Sequence, residues 1–258
     1  MLESLIYTAQ RAGGAIMSVY ASGFAVRDKA DASPVTIADE AAEKIILADL
    51  AELAPDIPVV AEEAVAGGQV PTVADRFFLV DPLDGTKEFI GHRDEFTVNI
   101  ALISDGRPSA GVVYAPALGE LFAASTAGPP RKYAGGCSVD LRIATFDRGR
   151  PLRVMGSRSH ASAAMQTWLD TLDVPYTFVA AGSSLKFCRV AEGRADVYPR
   201  FGHTNQWDTA AAHAVLERAG GMVSDLSGAP LCYGCDRPML NPFFTAIGDP
   251  CISNLIKT

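Results

Sequence analysis

The sequence lacks any apolar run long enough to cross a membrane. Charged residues or glycines interrupt each candidate within about ten residues, whereas a spanning helix needs about 20. Residues 1–20 also lack a basic leading segment and a small-residue cleavage site, and Glu3 and Arg11 interrupt their apolar stripe. We therefore expect this stretch to be an amphipathic core helix, and we expect a cytoplasmic protein without an integral membrane segment.

Positive charge is also scarce. The 258 residues include 22 Lys and Arg against 30 Asp and Glu, which gives a net charge of −8. Binding to nucleic acid polymers needs a basic face, so the composition argues against that class. A small anionic substrate remains compatible, because divalent metal ions can lie between acidic side chains and a phosphate. The 48% of apolar residues is a globular composition, sufficient for one large domain or two smaller ones.

Cysteine and histidine are few. The five cysteines are an odd number, and free thiols in a reducing compartment are the simplest interpretation. Cys232 and Cys235 form a lone CxxC, and zinc would require two further ligands that no second CxxC or HxxxH supplies. Of His92, His203 and His213, only His203 is a candidate for substrate contact, and none indicates a histidine-centred mechanism.

The spacing of apolar residues predicts an α/β fold. In the first half we expect a mobile loop at 64–74, helices at 2–21 and 36–53, and strands at 57–62, 76–81, 97–104, 110–114 and 120–124. In the second half, strands at 152–156, 176–180, 195–199 and 221–225 alternate with helices at 160–172, 183–193 and 208–219. A looser region at 126–150 indicates a junction, which gives predicted domains at 1–148 and 149–258.

The stretch DPLDGT at residues 81–86 follows the apolar run 77–80. Its proline fixes φ and favours a turn, its glycine permits close backbone approach, and its threonine begins a short helix. Asp81, Asp84 and the carbonyl of Leu83 are oxygen ligands of the kind that Mg²⁺ prefers, and helix-start N–H groups favour phosphate. An ordinary turn capped by Asp84 or the threonine is the alternative, although it does not explain two like charges beside an apolar strand end.

Further acidic residues lie at the ends of predicted elements. Glu62 and Glu63 follow an apolar strand, and Asp208 opens a predicted helix, where an ordinary N-cap is the alternative. Together with Asp81 and Asp84 they indicate a multi-metal site for phosphate ester hydrolysis, in which one metal lowers the pKa of a water and another steadies the leaving oxygen. The candidates for positioning or activating that water are Asp39, Glu62 and Thr86.

These motifs resemble those of a known enzyme superfamily. A glutamate pair, then DPLDGT, then WD before an alanine-rich helix is similar to the signature of the Mg²⁺-dependent, lithium-sensitive phosphatases that include inositol monophosphatase and fructose-1,6-bisphosphatase. DPLDGTKEFI, GVVYAP, GSSLKFC and AEGRADVYPRFG together resemble the bacterial 3′(2′),5′-bisphosphate nucleotidases of that superfamily. The matching motifs extend from about residue 33 to residue 242.

The resemblance implies an αβαβα layered fold, a monomer or homodimer, and two or three Mg²⁺ ions. It implies hydrolysis of 3′-phosphoadenosine 5′-phosphate to AMP and phosphate by direct attack of a water, and a role in sulfur assimilation. The implied metal ligands are Glu62, Asp81, the Leu83 carbonyl, Asp84 and Asp208, and the implied catalytic residues are Asp39, Glu62 and Thr86. The implied substrate-binding residues are Gly85, Thr86, Ser183, Lys186 and Arg200.

The substrate-binding residues of the second half have ordinary alternatives. Lys186 could lie on a solvated helix face, and Arg200 at the surface of a strand end. Residues 157–160 (SRSH) follow a strand, where they could meet phosphate or base or form a plain turn. Two other functions stay open: a phosphatase of the same superfamily acting on inositol phosphate or a sugar bisphosphate, and a non-catalytic, metal-dependent binding protein.

Overall fold

The computed structural model describes residues 1–22, 26–28, 34–157 and 163–256. The helices are α1 (Leu2–Ser22), α2 (Ile37–Leu53), α3 (Glu62–Ala66), α4 (Thr86–Ile90), α5 (Ala163–Leu169), α6 (Leu185–Ala191), α7 (Gln206–Arg218) and a 3₁₀ helix (Pro250–Asn254). The strands are β1 (Val26–Asp28), β2 (Pro34–Thr36), β3 (Val59–Ala61), β4 (Arg76–Asp84), β5 (Thr97–Ser104), β6 (Arg107–Ala115), β7 (Glu120–Ser125), β8 (Gly128–Ala134), β9 (Cys137–Asp140), β10 (Leu152–Gly156), β11 (Tyr176–Ala180), β12 (Val197–Arg200), β13 (Met222–Asp225) and β14 (Phe244–Ile247).

Two large sheets form the framework. The first contains seven strands in the order β3-β4-β5-β6-β7-β8-β9, in which β3 and β4 are parallel and the other neighbours antiparallel. The second contains five strands in the order β11-β10-β12-β14-β13, in which β11, β10 and β12 are parallel. β14 is antiparallel to both β12 and β13. A small antiparallel pair, β1 and β2, accompanies them.

The elements stack in five alternating layers. α1 and α2 cover one face of the seven-stranded sheet through a core that includes Leu5, Ile46 and Phe78. The opposite face shares a second core with α6, α7 and the inner face of the five-stranded sheet. α5 and the 3₁₀ helix cover the outer face of the five-stranded sheet. The predicted αβαβα layering is confirmed.

The central strand β4 explains how one apolar run serves two cores. Phe77 and Leu79 belong to the core shared with α7, whereas Phe78 and Val80 belong to the core under α1 and α2. Successive side chains of a strand point to opposite faces, so a strand buried on both faces is continuously apolar. The side chain of Asp81, which follows Val80, therefore points to the α7 side of the sheet.

α7 is seated directly on the first sheet. A Cβ atom on Gly111 of β6 would lie 2.3 Å from the carbonyl oxygen of Ala211 in α7. Only a glycine permits this approach of strand and helix backbones. This contact at Ala211 and Ala214 holds α7, whose first turn carries Asp208, against the seven-stranded sheet.

Several predicted boundaries are wrong. Residues 62–66 form α3 rather than a strand end and a loop, and β4 continues through Pro82 to Asp84. Proline is tolerated there because the strand pairing is irregular between Asp81 and Asp84. Asp208 lies in the first turn of α7 rather than at its N-cap, which is Asn205.

The region 126–150, predicted to be loose, contains the hairpin of β8 and β9. Glycines usually indicate a loop in the sequence. Here Gly135 and Gly136, which both have positive φ, form the turn that joins the two strands. β14 is absent from the predicted set. The predicted helix at 160–172 is confirmed as α5 over Ala163–Leu169, and Arg158, Ser159 and His160 lie outside the described residues.

No helix in the described ranges combines the length and apolar character needed to cross a membrane. All five cysteines are free thiols, and Cys188 is the buried one. Cys232 and Cys235 are partly exposed and are not joined to one another.

Candidate metal and phosphate site

Asp81 and Asp84 lie at the end of β4, on either side of a bulge. Asp81 pairs with Asn99 of β5 and Asp84 pairs with Thr97, so three residue steps on β4 oppose two on β5. Residues three apart in a regular strand point to opposite faces, but one extra residue brings the two carboxylates to the same face. The N–H of Leu83 donates to Asp81 Oδ1 at 3.0 Å and holds the bulge in place.

Gly85 connects this bulge to α4. Its φ of +91° is in the left-handed region, and a Cβ atom there would lie 3.3 Å from both the Glu95 carbonyl oxygen and the Ser183 Cβ. Thr86 begins α4, and its hydroxyl donates to the Leu83 carbonyl oxygen at 3.4 Å. The DPLDGT backbone thus passes close to the loop that carries Ser183.

Five carboxylates from four elements influence one another here. Burial raises the pKa of Asp81 well above its ordinary value, and the charges of Glu62, Asp84, Asp208 and Asp39 raise it further. Asp81 is 1% exposed and Asp39 is 2% exposed. The pKa of Asp208 is likewise raised, by burial first and then by Asp84 and Glu62. The structure therefore brings all four predicted acidic metal ligands, together with Asp39, into one electrostatic cluster.

The donor set of this cluster fits a hard cation. Its side chains offer only oxygen atoms, which suit Mg²⁺ rather than zinc or copper. Like charges buried together repel, and a cation relieves the repulsion. In the part of the chain that the structure describes, no three His, Cys, Asp or Glu side chains already converge closely enough to form a closed metal-ligand group. The fit therefore rests on donor chemistry and on the mutual repulsion of the clustered carboxylates.

Asp84 connects the cluster to the second half of the chain. Burial raises its pKa to about 6, although the charge of Lys186 and the N–H of Ser184 both act to lower it. The Ser184 N–H donates to Asp84 Oδ2, and the Ser184 hydroxyl donates to Asn99 Oδ1 at 2.7 Å. The loop before α6 is thereby joined to the ends of both β4 and β5.

A cavity of about 180 Å³ opens beside Asp84 and Asp208. Gly85, Lys87 and Glu88 line it from the first half of the chain. The residues that line it from the second half are Ser157, Ser183, Ser184, Lys186, Phe187, Tyr198, Arg200, Thr204, Asp208 and Thr209. Acidic and basic side chains thus meet in a single cavity between the two halves.

Lys186 is buried in this lining and is not a solvated surface lysine. Its Nζ donates to the Ser183 carbonyl oxygen at 2.6 Å and lies 5.6 Å from the centroid of the Tyr198 ring. Burial lowers its pKa to about 8, Arg200 acts in the same direction, and Asp84 opposes both. Nζ also donates to the Ala181 carbonyl oxygen at 3.4 Å. At neutral pH the side chain is therefore a largely protonated ammonium whose hydrogen-bond acceptors are two backbone carbonyl oxygens.

Arg200 ends β12 at the same cavity. Its guanidinium donates to the carbonyl oxygens of Gly202 and His203, at 3.2 Å and 3.0 Å. Those bonds orient the guanidinium without neutralising it. Ser183, nearby in the lining, has a positive φ of 46°, which is a strained backbone conformation for a residue other than glycine.

Sequence reasoning missed some residues of this site. Thr204 lines the cavity, and Glu43 of α2 accepts the N–H of Glu63 at 2.8 Å. The i,i+4 spacing of Asp39 and Glu43 on one helix was the available signal for Glu43. Of the weaker candidates, Ser157 lines the cavity and His203 does not.

Comparison with known proteins gives the fold and the site a context. The model of the inositol monophosphatase family matches residues 1–247 of this chain. The chain belongs to the inositol monophosphatase family. Members of this family are metal-dependent, typically on Mg²⁺.

Individual proteins of the family are also similar to this chain. The 3′(2′),5′-bisphosphate nucleotidase CysQ of Escherichia coli O157:H7 is 49% identical over 246 residues, which cover 95% of this chain and 98% of that protein. The crystal structure of CysQ from Bacteroides thetaiotaomicron has a TM-score of 0.80 at 36% identity and covers 96% of each chain. An inositol monophosphatase from Zymomonas mobilis has a TM-score of 0.79 at 25% identity, over 99% of this chain and 95% of that one. The resemblance to the superfamily and to its bacterial nucleotidases is confirmed.

Proposed function

We propose that this protein is a Mg²⁺-dependent phosphomonoesterase that hydrolyses 3′-phosphoadenosine 5′-phosphate to AMP and phosphate. The observation that carries the proposal is the 49% identity, over nearly the whole chain, to a 3′(2′),5′-bisphosphate nucleotidase. The cavity supports it, because Asp84 and Asp208 line it together with Lys186 and Arg200. A substrate with two phosphates uses both kinds of side chain, one phosphate at the acidic end and the other at the basic end.

In this proposal the acidic cluster holds two or three Mg²⁺ ions. The ligands are Glu62, Asp81, Asp84, Asp208 and the Leu83 carbonyl. Bound there, Mg²⁺ supplies Lewis-acid chemistry, since it lowers the pKa of a water and offsets the charge of the phosphate. Asp208 is restrained for this role, because one of its carboxylate oxygens accepts the Asn205 N–H at 2.9 Å and the other is left for a ligand.

Asp39, Glu62 and Thr86 orient and activate the attacking water. Asp39 and Glu62 lie close enough to Asp81 to raise its pKa, which supports their facing one small volume. Carboxylates accept hydrogen bonds from the water, and the threonine hydroxyl restricts its remaining freedom. The water attacks phosphorus directly and gives a proton to one of these carboxylates. The bond from phosphorus to the ribose 3′ oxygen breaks, that oxygen takes up a proton from solvent, and AMP leaves without a phosphoenzyme.

The substrate is held at both phosphates. The backbone N–H groups of Gly85 and Thr86 bind the reacting phosphate. Ser183, Lys186 and Arg200 bind the second phosphate, for which the planar guanidinium of arginine offers a matching pair of donors. An inositol monophosphate lacks that second group, so Lys186 and Arg200 distinguish the two substrate classes.

A cytoplasmic location and a monomeric or homodimeric state also belong to the proposal. The five free cysteines are consistent with a reducing compartment. Removal of 3′-phosphoadenosine 5′-phosphate would serve sulfur assimilation.

The test is phosphate release from 3′-phosphoadenosine 5′-phosphate, inositol 1-phosphate and fructose 1,6-bisphosphate, measured side by side. We expect rapid release from the nucleotide that requires Mg²⁺ and is inhibited by Li⁺. A preference for the inositol or sugar ester would keep the metal site and reject the substrate. No release from any of them would favour a non-catalytic binding protein.

A further inference from the structure

Two acidic side chains lie one helical turn apart in α2, and both are buried. Asp39 is 2% exposed and Glu43 is 6% exposed. Residues at i and i+4 lie on the same face of a helix, so both carboxylates face the first sheet and its metal-ligand cluster. The proposed function uses Asp39 and gives Glu43 no role.

Glu43 is bonded to the start of α3. Its carboxylate accepts the N–H of Glu63 at 2.8 Å. α3 begins at Glu62, directly after β3, and the preceding Ala61 provides no side-chain cap. The first N–H groups of a helix have no partner within the helix, and here a side chain from another helix provides one.

The surroundings of Glu43 differ from those of Glu120, another carboxylate with little exposure. Glu120 forms ion pairs with Lys132 and Arg189, both at 2.6 Å. Among the described residues, Glu43 forms no ion pair with a basic side chain, and its carboxylate accepts from the backbone. A buried charge without a partner cation costs free energy, so its retention indicates a geometric role.

We propose that Glu43 is a positioning residue for the metal site. It fixes the first turn of α3, and therefore the side chain of Glu62, relative to the α2 face that carries Asp39. One carboxylate thereby sets the distance between a metal ligand and a residue that orients the water. The inference rests on the proposed function only in so far as Glu62 is a Mg²⁺ ligand.

Three substitutions separate geometry from charge. Glu43→Met keeps the volume and removes the acceptor, Glu43→Asp keeps the charge and shortens the reach, and Glu43→Gln keeps an acceptor at the same reach. Mg²⁺ binding to each purified protein is measured by calorimetry, and unfolding is measured in EDTA. Loss of an outer partner of a metal ligand typically weakens metal binding by about 10–100-fold. We expect weakening of about tenfold or more for Met and Asp, and less than about threefold for Gln.

Glu120→Ala is the matched control. Glu120 is distant in sequence from the proposed metal ligands, and its loss breaks a buried ion network. We expect it to lower stability in EDTA and to leave Mg²⁺ affinity unchanged. Wild-type affinity in Glu43→Asp and Glu43→Met would overturn the positioning role, as would an equal loss in Glu43→Gln. If the wild-type protein binds Mg²⁺ but releases no phosphate from the nucleotide, the proposed function fails while the positioning role is still decided by the variants. If it binds no Mg²⁺, both fail.

Discussion

The charge of Lys186 makes the proposed binding of the second phosphate depend on pH. Burial has the largest effect on its pKa and lowers it, Arg200 also lowers it, and Asp84, Glu88 and Glu95 raise it, with a result of about 8. An ammonium group binds phosphate and a neutral amine does not. Binding of the second phosphate should therefore be intact at pH 7 and weaken as the pH rises through about 8.

The size of the effect follows from this pKa. A group with a pKa of about 8 is about 90% protonated at pH 7 and about 10% protonated at pH 9. If only the ammonium form binds, kcat/KM for 3′-phosphoadenosine 5′-phosphate should fall about tenfold between these pH values. An exposed lysine with the ordinary value of 10.5 would stay charged across the same interval.

The assay divides kcat/KM for 3′-phosphoadenosine 5′-phosphate by that for adenosine 3′-monophosphate, which has the reacting phosphate and lacks the second. Division cancels the pH dependence of the chemical step, which both substrates share. Lys186→Arg should flatten the ratio, because a guanidinium stays protonated at pH 9. A wild-type ratio that is constant from pH 7 to pH 9, or one that falls equally in Lys186→Arg, would refute the assignment.

Three further outcomes are expected. Asp81→Asn should abolish Mg²⁺-dependent phosphate release, which the phosphate assay measures. It should also raise the free energy of unfolding in EDTA by about 1 kcal/mol, measured by urea titration, because it removes a buried like charge. Gly111→Ala should destabilise the protein by about 2 kcal/mol or more, visible in thermal unfolding, because its Cβ would overlap the backbone of α7. Burial alone would raise the pKa of Asp196, but hydrogen bonds from Arg150 and Arg153 outweigh it and hold the pKa at about 2 rather than 3.8. Its stabilisation of about 2 kcal/mol should be present above about pH 4 and lost as the pH falls toward 2, and Asp196→Asn should remove that part of the acid transition.

Local sequence signals identified most of the layers. The continuous apolar run before Asp81 predicts a strand buried on both faces, and the alternation of strands and helices after residue 150 predicts the second sheet. The hairpin of β8 and β9 was hidden because its turn and its first strand contain the glycines and prolines that usually mark loops. Short apolar strands such as β14 leave no periodic signal of their own.

The acidic side chains of the site could be named from the sequence because each one follows an apolar strand or opens a helix. The bulge that turns Asp81 and Asp84 to one face could not, since strand register depends on pairing with β5, which is distant in sequence. The role of Glu43 depends on contact between α2 and α3, 20 residues apart, which only the folded structure reveals. The burial that lowers the pKa of Lys186 likewise arises from packing between the two halves.

The most direct test of the central claim is anomalous diffraction from crystals grown with Mn²⁺, an oxygen-preferring substitute for Mg²⁺. The account predicts two or three anomalous peaks among the carboxylates of Glu62, Asp81, Asp84 and Asp208 and the carbonyl of Leu83. Asp208→Asn should lose at least one of them. Full occupancy elsewhere in the protein, with no peak inside this cluster, would contradict the account.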